Sequence, residues 1–91
     1  MAKISKQEFI ERISKISSAK SLQGKTYVSI HVDGSVCTGI RESTGKSFKV
    51  NLDKVYEAYI ENEEINTAVL KPYVDRNQSP AFAILKETGI V

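Results

Sequence analysis

Few side chains in this sequence could do chemistry beyond hydrogen bonding. It has one histidine, His31, and one cysteine, Cys37, and the remaining candidates are hydroxyls and carboxylates spread over 91 residues. A structural zinc site needs about three or four convergent His, Cys or carboxylate ligands, which one imidazole and one thiol do not supply, so no metal is expected. His31, Asp33 and any serine provide the residue types of a hydrolytic triad. Both lie near one turn, however, with no nucleophile elbow to present the hydroxyl, and no catalysis is expected.

Two fragments, Gly24-Lys25-Thr26 and Gly45-Lys46-Ser47, imitate the end of a phosphate loop. A working loop needs a further glycine five residues earlier and a helix afterwards, so that backbone N–H groups wrap the phosphates. Ala19 and Ile40 occupy those earlier positions, and both fragments lead into strand-like sequence. No nucleotide cofactor is expected. The acidic run Glu61, Glu63, Glu64 has the character of a solvated helix end.

These residues are carried by elements that can be read in order. Ser5-Lys6-Gln7-Glu8 has the S-x-x-E form of a helix start, with Ile4 and Phe9 placed to form a hydrophobic staple across it. Phe9, Ile10, Ile13 and Ile16 then recur at helical spacing, and the helix should fade around Ser17-Ser18 and be finished by Gly24. From Lys25 the period changes to two. Val28, Ile30 and Val32 alternate with Tyr27, Ser29 and His31, which predicts a strand with one buried face.

A three-residue Val32-Asp33-Gly34 loop pairs Ile30 with Val36 and Val28 with Thr38, whereas a two-residue Asp33-Gly34 turn opposes Ile30 to Cys37. The longer loop is preferred because it keeps the apolar residues on one face. The same pattern at Ser43-Thr44-Gly45 places Ile40 opposite Phe48 and Thr38 opposite Val50. The result is a three-stranded antiparallel meander. Asp53 is a candidate cap for a second helix with Val55, Tyr56, Tyr59 and Ile60 inward. A short helix over 65–70 ends before Pro72, and a last one runs from Ala81 to Thr88, capped by Ser79 and closed by Gly89.

The fold class is therefore α+β: an N-terminal helix, a three-stranded antiparallel meander, and two or three C-terminal helices packed on one sheet face. At this length residues 1–91 form a single small domain. The order helix, three strands, helix over the first two-thirds of the chain resembles that of double-stranded RNA-binding domains. The second helix here begins Asp53-Lys54 and continues to Glu57, without the lysine cluster that such domains present to RNA.

Charge is distributed unevenly. Net charge is +2, but residues 1–50 hold nine Lys and Arg against four Asp and Glu, and residues 51–91 hold four against seven. In the expected register the outward sheet face presents rows of Lys25, Arg41, Ser47, then Tyr27, Gly39, Lys49, then Ser29, Cys37, Asn51, with three cations and no carboxylate. Cations beside an aromatic ring suit nucleic acid, because they displace counterions while the ring stacks.

The sequence-based expectation is a non-catalytic binding domain that takes nucleic acid through Lys25, Tyr27, Arg41 and Lys49. Lys46 and Lys20 assist from the rim. The alternative is a protein-interaction module or homodimer that uses sheet edges and an apolar tail containing Tyr73, Val74, Phe82, Ile90 and Val91. No apolar run is long enough to span a bilayer. Met1 to Ile16 lack the apolar block of a secretory signal, and a single cysteine suits a reducing compartment, so the expected location is the cytoplasm.

Overall fold

A computed structural model describes residues 3–21, 24–74 and 77–91. Helix α1 (Lys6–Ser14) begins where the capping motif requires: the Ser5 hydroxyl accepts from Glu8 N at 3.2 Å. The Glu8 carboxylate completes an i,i+4 ion pair with Arg12 at 3.2 Å. Phe9 and Ile13 are fully buried, with Ile10 and Ile16 partly buried beside them.

The sheet has four antiparallel strands in sequential order, β1 (Ala19–Lys20), β2 (Thr26–Asp33), β3 (Val36–Arg41) and β4 (Ser47–Asn51). β1 is an addition to the expected meander. Only two residues long, it has no periodicity to betray it, yet it pairs Ala19 with Tyr27 and Lys20 with Thr26. Ala19 is buried by this pairing, and Ile30 N donates to Ser17 O at 3.0 Å just before the strand.

The register differs from the one expected by alternation. β2 and β3 turn through Gly34-Ser35, with Asp33 opposite Val36 and Val32 opposite Cys37, and Gly34 adopts φ +64°. Between Val28 and His31 the pairing slips by one residue at a β-bulge, where Ser29 sits at φ +53°. A bulge inserts one unpaired residue and so reverses the sense of alternation along its strand. Tyr27 before it and Ile30 after it therefore both face the core, at 2% and 7% exposure.

β3 and β4 are joined through a four-residue loop between Arg41 and Lys46, with Arg41 N donating to Lys46 O at 2.8 Å. This pairing sets Gly39 opposite Phe48 and Cys37 opposite Val50. The core face of β3 is consequently Cys37 and Gly39, where alternation had placed Val36, Thr38 and Ile40. Phe48 and Val50 face inward as expected.

Gly39 has a packing reason. A Cβ built on it would lie 2.5 and 2.6 Å from the Phe48 ring atoms Cζ and Cε2 and 3.2 Å from the Val28 carbonyl oxygen. The absent side chain is what lets the ring lie across the strand and meet Tyr27 edge-on, with centroids 5.5 Å apart. Gly39→Ala should therefore destabilise by about 1–3 kcal/mol, the usual range for overpacking. In a thermal melt the expected fall in Tm is about 4–8 °C per kcal/mol at this chain length. A variant that melts with the parent would show that the ring does not occupy this position.

Three helices follow the sheet. α2 (Leu52–Glu61) is capped by Asn51, whose side chain accepts from Asp53 N at 2.9 Å, so the cap lies two residues before the expected Asp53. Its buried face is Leu52, Val55, Ala58 and Tyr59, which rotates Ile60 out to 45% exposure. α3 (Thr67–Val74) runs past Pro72, which lies in its last turn, and α4 (Gln78–Glu87) starts earlier than Ala81. α4 closes at Gly89, φ +76°, with Ile90 N bonded to Leu85 O at 3.1 Å.

One cluster of buried residues joins both parts of the chain, from Phe9 and Ile13 through the sheet to Leu70, Ala81, Ala83, Ile84 and Leu85. The apolar tail is thus largely core, and Tyr73, Val74, Phe82, Ile90 and Val91 pack partly buried against it. Among the described residues no helix is long and apolar enough to cross a membrane.

Candidate functional site

The changed register redistributes the four residues assigned to nucleic-acid contact. Tyr27 and Arg41 are cross-strand partners on the side of the sheet that faces the core, and Lys49 stays on the outward face opposite Thr38. Lys25 precedes β2 and is exposed. The four do not form the expected outward surface, because a one-residue slip carries a strand's side chains to its other face. The outward face instead carries Val28, His31, Val36, Thr38, Ile40 and Lys49.

Three of the four nevertheless converge. Lys25, Tyr27 and Arg41 line a pocket of about 210 Å³ together with Thr26, Ser43, Thr44, Ser79 and Pro80. It lies where the start of β2, the β3–β4 loop and the first turn of α4 meet. None of these eight residues is a carboxylate, a histidine or a cysteine.

Arg41 is held in place rather than left to solvent. Its guanidinium donates to Ser47 O at 3.1 Å and to Asn77 Oδ1 at 2.9 Å, and lies 5.9 Å from the centre of the Phe48 ring. Asn77 is the N-cap residue of α4 but makes no side-chain cap bond there. Its amide nitrogen donates instead to Lys49 O at 2.7 Å, so this one side chain ties the start of α4 to both β3 and β4.

Tyr27 forms the buried wall of the pocket. Burial pushes its hydroxyl above the ordinary tyrosine range, and the nearby Arg41 charge opposes that rise. The group is therefore a neutral O–H donor at physiological pH.

Comparison with protein families, with curated proteins and with solved structures finds no match. The helix, strands and helix that resemble a double-stranded RNA-binding domain are present in that order, with β1, α3 and α4 in addition. Order alone carries no activity across to this chain.

His31 and Cys37, expected to share the outward face, lie on opposite faces. His31 is exposed opposite Thr38, while Cys37 is fully buried opposite Val32 and Val50. Burial pushes the Cys37 thiol up to about 11, so it is no nucleophile in the folded state. No three His, Cys, Asp or Glu side chains group to hold a metal ion among the described residues.

Sequence reasoning missed Ser43, Thr44, Ser79 and Asn77. A signal for the changed register was available in Gly39, since a glycine inside a strand often marks close approach of another group.

Proposed function

We propose that the chain is a non-catalytic domain that binds nucleic acid at the pocket end of the sheet. The observation that carries this reading is the convergence of Lys25, Tyr27 and Arg41 on one pocket, with no carboxylate among the described residues that line it. Lys46 in the adjoining loop and Lys20, paired with Thr26, extend the positive rim. Phosphate contacts of this kind release condensed counterions, which makes affinity fall steeply with salt.

Fluorescence anisotropy with labelled duplex DNA, single-stranded DNA and duplex RNA over a salt series tests the proposal. On duplex DNA the log–log slope should be about −0.9 per phosphate neutralised. Lys25→Gln should weaken binding across sequences and reduce the slope by about one unit, whereas Lys49→Gln should leave it unchanged. Absence of binding at low salt, or binding indifferent to salt, would discard the proposal. A loss with Lys49→Gln alone would return the contact surface to the outward face.

A protein partner or second copy is the alternative, favoured by the outward face, where Val28 and Ile40 are cross-strand neighbours and Ile40 is 37% exposed. A light-scattering mass that rises with concentration, and stays monomeric in Ile40→Glu, would support the dimer form. Constant monomeric mass would count against it.

A further inference from the structure

The two edges of the sheet are unequal. β1 is two residues long, whereas β4 is five, and among the described residues no strand pairs with the other side of β4. An uncovered edge of that length is a template on which another strand can add.

The groups that β4 offers there follow from its register. Arg41 N donates to Lys46 O, so Arg41 and Lys46 are a hydrogen-bonded pair. Such pairs alternate along an antiparallel ladder, which makes Gly39 with Phe48 and Cys37 with Val50 the next two. Ser47, Lys49 and Asn51 therefore turn their N–H and C=O groups away from β3, and all three residues are exposed.

Two of those outward carbonyls are already taken by side chains. Ser47 O accepts from Arg41 Nη1 at 3.1 Å and Lys49 O from Asn77 Nδ2 at 2.7 Å, while Arg41 Nη2 donates to Asn77 Oδ1 at 2.9 Å. The Asn77 amide thus donates to Lys49 O as the N–H of an added strand would. It does so instead of capping its own helix, the bond that asparagine at this position ordinarily makes.

We infer that the Arg41–Asn77 pair is a clasp that closes the β4 edge, and that the strand it keeps off is β4 of a second copy. Two copies related by a two-fold axis at Lys49 are self-complementary, with Lys49 opposite Lys49 and Ser47 opposite Asn51 through their outward groups. That pairing needs the Ser47 and Lys49 carbonyls that the clasp occupies. Lys49 is a second guard, since like charges directly opposite each other repel. The inference stands apart from the nucleic-acid reading.

Asn77→Asp tests it, because the variant keeps the acceptor for Arg41 and a residue suited to a helix cap but loses the N–H that Lys49 O accepts. Its light-scattering mass should rise with concentration toward twice that of the parent, and more readily in high salt, which screens Lys49 from its copy. The amides of Ser47, Lys49 and Asn51 should then exchange with deuterium severalfold more slowly, whereas in the parent they should exchange fast at every concentration. Adding Lys49→Pro removes an outward N–H, leaves the ladder to β3 intact and should restore the parent mass. An Asn77→Asp variant that folds and keeps the parent's mass and exchange at every concentration overturns the clasp. Parent protein whose Ser47, Lys49 and Asn51 amides become protected with concentration also overturns it, a result that depends on no variant folding. Association that survives Lys49→Pro overturns the assignment to β4.

Discussion

Cys37→Asp should leave the chain unfolded in neutral buffer, while Thr38→Asp, one position further along the same strand, should fold with nearly the parent stability. Cys37 is fully buried between Val32 and Val50. An unpaired carboxylate there costs several kcal/mol, which is comparable with the roughly 5–15 kcal/mol that holds a domain together. Thr38 lies on the outward face between His31 and Lys49. Its own hydrogen bond, from Oγ1 to His31 O, is long at 3.5 Å, and a carboxylate there gains Lys49 as a neighbour. A change within about 0.5 kcal/mol is expected. Far-UV circular dichroism and urea melts of both variants check this. Strict alternation, with Thr38 inward, reverses the two outcomes.

Phe9→Ala should remove about 3–5 kcal/mol, the usual cost of excising a buried phenylalanine. The ring is fully buried, edge-on to Tyr56 with centroids 5.1 Å apart and 5.5 Å from Tyr59. Those two tyrosines in turn clamp the chain ahead of α1: Tyr56 donates to Ile4 O at 2.9 Å, and Ile4 N donates to Tyr59 at 3.2 Å. Loss of the ring thus loosens the contact between α1 and α2 as well as leaving a cavity. The denaturant midpoint should fall with little change in m, because the surface exposed on unfolding is nearly the same. A loss below about 1 kcal/mol would mean that α1 does not dock through Phe9.

How far the sequence could be read depended on whether each signal was local. The α1 cap lies in Ser5 to Glu8, and the inward pair Phe48 and Val50 follows from simple alternation, so both agree with the structure. The sheet register was not local. It turns on Ser29 at the bulge and on a turn at Gly34-Ser35, neither of which alters the apolar alternation of Val28, Ile30 and Val32. Tyr27 and Ile30, three apart, can share a face only if the strand is interrupted.

The site was partly legible for the same reason. Lys25, Tyr27 and Arg41 stand out as cations and an aromatic ring in the basic half of the chain, and they do meet. The walls from Ser79 and Pro80, and the Asn77 contact that steadies Arg41, come from about 36 positions away in sequence and depend on where α4 packs.

Burial of Cys37 gives the domain a built-in clock. The thiol sits in β3, an interior strand, and it can meet a reagent only when the sheet parts around it. With slow labelling the rate reports how much of the time that region is open, and with fast labelling it reports how often it opens. The wild-type chain, with no added probe, thus lends itself to timing the parting of its own central strands.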